Sequence, residues 1–234
     1  MSISSNRDDP LTIQLRFISV ISTSIISTLF LMLILPDENV FFQLGFYLPN
    51  ISSLWKYLFE PLLLTTILFL GPITHNMLML TKYKTSNLIK SKYNLITLRN
   101  YIVAPLTEEY IFRGVIFAIL TPCISNAGII ILISSLLFGI SHSHHYFFQS
   151  YMNMEINPIA AIEQMTFTTI FGCYASLLYL RTKFIFTPIL VHSFCNLMEF
   201  PDFATLFSSK FWSVITVTGL CIWIYYLILF SIEL

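Results

Sequence analysis

Residues 100–121, NYIVAPLTEEYIFRGVIFAILT, constrain this chain more than any other stretch. The run has the length of a membrane-spanning helix, about 20 residues, yet it carries Glu108, Glu109 and Arg113. A carboxylate or guanidinium at the centre of a spanning helix costs roughly 2.5–3.5 kcal/mol on insertion scales. Groups kept at that cost face the protein interior, pair with one another or do chemistry. Spacing divides the three. Glu109 and Arg113 are four apart, so they share a helix face and can pair. Glu108 sits about 100° round the axis from Glu109 and has no basic residue three or four positions away. Its partner must come from elsewhere in the fold. Two readings follow: one buried ion-pair network that locks helices together, or a functional site.

The rest of the chain sets the solvent. Charged residues make up 10% of the sequence and hydrophobic ones 56%, with a mean hydropathy of +0.77; soluble domains carry about 25% charged residues. The expected fold is therefore all-α: one polytopic membrane helical bundle over residues 1–234, with about 7–8 transmembrane helices. A net charge of zero points to no nucleic-acid partner. Cys123, Cys173, Cys195 and Cys221 lie in or beside apolar runs without a CxxC pair, and are expected to be buried small apolar residues.

Residues 1–16 form a polar tail. Phe17 to Leu35 is uncharged over 19 residues. It is too long for a signal-peptide core and lacks a small-residue cleavage site, so it reads as a first span. Residues 40–60 are amphipathic and aromatic, as at a headgroup interface, and suit an extra short or re-entrant helix. A second span runs from Pro61 to Leu80, with a kink expected at Gly71-Pro72; its lone His75 reads as a packing residue. The loop 81–99 holds Lys82, Lys84, Lys90, Lys92 and Arg99 and no acid, which places it, and by alternation the N-terminus, in the cytosol. In the next segment Pro105 interrupts the backbone. That predicts a helix start near Thr107, with Thr107 as N-cap and the two glutamates in the positive first turn. Further spans are expected at about 127–141, 159–180, 184–200 and 211–230. Arg181 and Lys183 then fall on the non-cytosolic side, against the charge rule.

Under this topology Glu108, His142, His192 and Asn196 share the cytosolic half of the membrane at 1.5 Å rise per residue. His192 and Asn196, four apart, share a face. A carboxylate and an imidazole can take a proton from water and pass it to a leaving amine. Imidazole and carboxamide N–H groups can donate to an oxyanion. The set suits peptide or ester hydrolysis at a membrane. Rival chemistries remain. Glu108, His142 and His192 also match a two-His-one-Glu zinc set. Cys195 lies three residues from His192, although nothing visible activates its thiol. Buried Glu and His also suit a proton-coupled transporter, which would more often show an internal repeat. His144 and His145 read as a solvated helix end or as support for His142. There is no HExxH and no GxSxG.

Three short patterns carry a resemblance. Glu108-Glu109-Tyr-Ile-Phe-Arg113 resembles the EExxxR motif of the type II CAAX prenyl endopeptidases, the Ras-converting family. Phe138-Gly-Ile-Ser-His142 resembles their FxxxH motif, and His192-Ser-Phe-Cys-Asn196 their HxxxN motif. The order is the family's, each motif lies on its own expected span, and the flanks look like the eukaryotic branch. The likeness covers roughly residues 60–230; the N-terminal end is short for a eukaryotic member, which implies one helix fewer there.

The resemblance implies a multi-pass protein of the endoplasmic reticulum membrane whose active site opens to the cytosol. It implies removal of the C-terminal -aaX tripeptide from farnesylated or geranylgeranylated CAAX proteins such as Ras-like small GTPases, at the lipid boundary, with no metal or other cofactor. Glu108 is then the base, His142 helps activate the water, and His192 and Asn196 stabilise the oxyanion. Glu109, Arg113 and Phe138 are structural support. A non-catalytic membrane scaffold of the same fold is the contrasting reading. The last residues, Ser231 to Leu234, lack a cysteine four from the end, so the chain is not expected to be its own substrate.

Overall fold

The computed structural model describes residues 8–36, 38–83, 94–143, 158–199 and 206–232, and among them every regular element is helical. Helix α1 (Pro10–Ile34) starts well before the apolar run, so the polar tail ends sooner than residue 16. Asp9 is the reason: its carboxylate accepts from the Thr12 N–H at 3.0 Å and from the Thr12 hydroxyl at 3.2 Å, the work of an N-cap. The interfacial stretch 40–60 divides in two. Val40–Gln43 is a single turn, α2, capped by Asn39, while residues 51–60 already belong to α3 (Ile51–Leu68).

Helix α3 passes at Phe69 into α4 (Leu70–Tyr83) with a bend of 69°. The break precedes the expected Gly71-Pro72 kink because Pro72 falls in the first turn of α4, where the N–H it lacks would have no partner anyway.

The segment with the glutamates differs most from expectation. It is one continuous helical run, α5, over residues 95–120: α-helical at Leu95–Leu98, π-helical at Arg99–Val103, α-helical at Ala104–Glu109, π-helical again at Tyr110–Val115 and α-helical at Ile116–Leu120. Its N-cap is Asn94, whose side chain accepts from the Thr97 N–H at 2.9 Å. Thr107 is therefore a buried mid-helix residue and not a cap, and the glutamates lie outside any positive first turn. Pro105 does not start the helix because the wide turn before it absorbs the ring. The Ala104 N–H bonds back five residues to the Arg99 carbonyl.

The later helices fall where they were expected: α6 (Ala127–Ser141), α7 (Pro158–Thr182), α8 (Phe186–Met198) and α9 (Lys210–Ile232). By length and composition α1 and the 210–229 part of α9 can cross a membrane, and the bent pair α3–α4 passes together as a broken span. Many exposed side chains on the first and last helices are apolar, among them Ile26, Leu33, Phe211 and Val214. Such continuous apolar faces are rare on soluble monomers and ordinary against lipid. The chain is a multi-pass, all-helical membrane protein. The cysteines depart from expectation: none is buried, and Cys123 and Cys221 are exposed. For Cys221, on a face of α9 suited to lipid, the surroundings are apolar all the same.

Two compact units form. In the first (described parts of 8–20, 49–106 and 189–232), α9 packs on α3 and α4. The fit is backbone-close: a Cβ at Gly219 would lie 2.6 Å from the Ile67 carbonyl. His75 packs edge-on to Trp212 with ring centroids 4.9 Å apart, the packing role read from the sequence. In the second unit (21–48 and described parts of 107–188), α7 packs along α6, and Leu31, Val40, Leu44, Tyr110, Val115 and Ala118 form one core.

Gly139 makes the α6–α7 approach possible: a Cβ there would collide with the Thr169 side chain and come within 3.0 Å of the Met165 carbonyl. Gly139→Ala is expected to cost about 1–3 kcal/mol, read as a lower unfolding midpoint in detergent. Gly128→Ala, exposed at the start of α6 where a Cβ would meet only the Asn126 side chain, should cost less.

Candidate active site

The second unit holds the charged cluster. Arg113 and Glu109 are both fully buried, with Arg113 Nη1 3.0 Å from each carboxylate oxygen of Glu109. Arg113 Nη2 donates to the Gly172 carbonyl at 3.0 Å. The guanidinium carbon stands 4.6 Å from the centre of the Phe138 ring, within range of a cation–π contact. One side chain of α5 thus ties α6 and α7 together. Gly172 is where α7 comes closest: a Cβ there would be 3.1 Å from Ser135 and 3.4 Å from Arg113 Nη2. The Ser134 hydroxyl donates to the Phe112 carbonyl at 2.7 Å, a second link from α6 to α5.

Phe138 is 1% exposed. It meets Phe112 edge-on at 5.1 Å and Phe171 at 5.9 Å. Its ring centre is also 4.7 Å from that of His142, one turn later at the C-cap of α6. His142 Nδ1 lies 2.8 Å from the Phe138 carbonyl. A carbonyl only accepts, so Nδ1 carries a proton, which leaves Nε2 as the nitrogen that can accept. Glu108, next to Glu109 on α5, remains partly exposed. The two neighbouring glutamates therefore have different surroundings: Glu109 is sealed on a cation, and Glu108 is partly exposed.

The first unit holds His192 and Asn196, on one face of α8. His192 is buried. The Asn196 side-chain amide donates to the Asn100 backbone carbonyl at 2.9 Å. Arg99 Nε donates to the Asn100 side-chain oxygen at 2.9 Å, and Arg99 Nη2 pairs with Asp8 at 3.0 Å. Within each unit, the described residues gather no group of three or more His, Cys, Asp or Glu side chains fit to hold a metal ion.

The model of the type II CAAX prenyl endopeptidase Rce1-like family matches residues 90–198, a span that contains Glu108, Glu109, Arg113, Phe138, His142, His192 and Asn196. The human protein "CAAX prenyl protease 2" is 35% identical over 213 residues, covering 83% of this chain and 64% of its own. "Probable CAAX prenyl protease 2" of Schizosaccharomyces pombe is 34% identical over 204 residues, covering 85% of this chain and 72% of its own. The chain belongs to the type II CAAX prenyl endopeptidase family. It spans about two thirds of the length of these relatives, 64% and 72%. The bacterial "Membrane-embedded CAAX protease MroQ" of Staphylococcus aureus is 33% identical over 100 residues, covering 41% of this chain and 34% of its own. No solved structure matches the chain significantly.

For this endopeptidase-family chain, the pairing of Glu109 with Arg113 is as the spacing implied, and Phe138 joins them. Glu108 and His142 lie in the second unit, His192 and Asn196 in the first. His144 and His145 lie outside the described residues. The sequence reading missed Gly172, whose carbonyl holds Arg113, and Asn100, whose carbonyl holds Asn196. The small residues of FGCYAS around Gly172 were a signal of close helix approach; nothing local marks Asn100.

Arg113→Ala would leave Glu109 as a buried, uncompensated carboxylate, a loss of roughly 3–5 kcal/mol. We expect a lower folded yield and unfolding midpoint, with a smaller fall in activity per surviving folded molecule. Equal folded yield without turnover would contradict the structural role.

Proposed function

We propose that the chain is an intramembrane endopeptidase that removes the C-terminal -aaX tripeptide from farnesylated or geranylgeranylated CAAX proteins. The observation that carries this reading is the partition of the two glutamates: Glu109 fully buried on Arg113, Glu108 partly exposed beside it. The Glu109 carboxylate is taken up by Arg113, whereas a partly exposed carboxylate can meet a water. The three ordered motifs inside the family match support the same reading.

In the proposed reaction Glu108 takes a proton from water and the hydroxide adds to the scissile carbonyl. His142, its Nδ1–H engaged by Phe138, accepts from that water through Nε2. His192 and Asn196 donate to the oxyanion. Collapse of the tetrahedral intermediate breaks the C–N bond, and the Glu108 carboxyl returns its proton to the leaving amine. Substrate choice follows from membrane physics. A prenyl chain contributes about 0.8 kcal/mol per buried CH₂, so a prenylated C-terminus is already concentrated at the lipid boundary. The corresponding setting is the endoplasmic reticulum membrane, with a cavity open to the cytosol and to lipid and Ras-like small GTPases among the substrates.

The test is release of the terminal tripeptide from a farnesylated CAAX peptide by membranes bearing the protein. Cleavage by wild type that persists with a chelator and falls at least about 10²-fold in Glu108→Ala is the expected result. Cleavage abolished by the chelator and restored by zinc would move Glu108, His142 and His192 into a metal site. Well-folded wild type inert towards several CAAX sequences would favour a scaffold.

A further inference from the structure

We propose that Pro105 and the backbone of Asn100 position Asn196, a role that rests on the reading of Asn196 as an oxyanion donor. In the π-helical turn Arg99–Val103 the Ala104 N–H bonds to the Arg99 carbonyl, five residues back. The Asn100 carbonyl is thereby out of step with its usual partner four residues on. In the five-residue register its donor would be residue 105. That residue is proline, which has no N–H. Backbone carbonyls shielded from water are almost always satisfied, and this partly buried one takes its donor from a side chain: Asn196 Nδ2, at 2.9 Å.

The contact fixes Asn196 in two ways. A carbonyl only accepts, so the NH₂ end of the carboxamide faces Asn100, which settles the orientation of the side chain. It also uses one of the two amide N–H bonds and leaves the second to donate elsewhere, on the helix face shared with His192. The acceptor is itself held. Arg99, buried and paired with Asp8, donates through Nε to the Asn100 side chain at 2.9 Å. Pro105 is a positioning residue in this account: it acts by withholding a hydrogen bond.

The decisive variant is Pro105→Ala, assayed on a farnesylated CAAX peptide with the purified full-length protein. It returns an N–H that competes for the Asn100 carbonyl and releases Asn196. Because loss of a whole oxyanion donor costs about 10²–10³-fold in kcat, its misplacement should lower kcat about tenfold, with KM within about twofold. The unfolding midpoint should hold or rise, since alanine is the better helix residue. A purely structural proline would leave kcat unchanged. In an Asn196→Asp background, Pro105→Ala should cause no further loss; independent, multiplying losses would overturn the proposal.

If Pro105→Ala does not fold, Asn100→Ala is the second variant. It removes the Arg99 tie while keeping the carbonyl, and should lower kcat several-fold, again without adding to Asn196→Asp. Unchanged kcat in Asn100→Ala would overturn the proposal. Asn196→Asp with full activity would overturn the oxyanion reading itself. Asn196→Asp inactive beside a fully active Pro105→Ala would overturn only the positioning role.

Discussion

Two opposite charges buried out of water, Glu109 and Arg113, are the constraint on which the second unit depends. Such a pair offsets its desolvation only with good geometry and with its other hydrogen bonds satisfied. Arg113 meets most of that demand by reaching Glu109 on its own helix, the Gly172 carbonyl on α7 and the Phe138 ring on α6, while its Nε finds no partner among the described residues. The demand propagates. Gly172 and Gly139 lack side chains where α7 meets Arg113 and α6, and Phe138 is completely enclosed. His142 follows Phe138 by one turn and bonds to its carbonyl. The ring orientation of a candidate catalytic histidine therefore traces back to the placement of a buried cation.

The helix that carries this pair is irregular on both sides of the glutamates. π-Helical turns are rare, usually single, and often found at functional sites. In α5 each has an identifiable effect. The first accommodates Pro105 and leaves the Asn100 carbonyl to a side chain from α8. The second, Tyr110–Val115, contains Arg113 and Gly114; the latter lies close to Leu44. Irregular backbone persists where other groups satisfy it, and here an asparagine does so.

The helices and the ion pair were legible in the sequence because they rest on local rules. Apolar runs marked α1, α6, α7, α8 and α9 to within a few residues, apart from the early start of α1 that Asp9 caps. Spacing of four gave the Glu109–Arg113 pair. Three motifs gave the family. What was not legible depended on hydrogen-bond register. Pro105 looked like a helix start, since proline is at home in a first turn; only the five-residue register before it lets the helix run through. The kink assigned to Gly71-Pro72 fell at Phe69 for the converse reason, because Pro72 does sit in a first turn. The cysteines were misplaced because an apolar neighbourhood in sequence does not separate protein interior from lipid-facing surface.

The central claim is the division of labour between adjacent glutamates, and it is tested most directly by comparing Glu108→Gln and Glu109→Gln in unfolding midpoint and turnover, on one purified preparation of each. The account predicts that Glu108→Gln melts with wild type and releases no tripeptide. Glu109→Gln should melt several degrees lower, with the roughly 2–4 °C per kcal/mol expected of a chain this size, and its folded fraction should retain turnover. A destabilised Glu108→Gln beside a stable, inactive Glu109→Gln would contradict it.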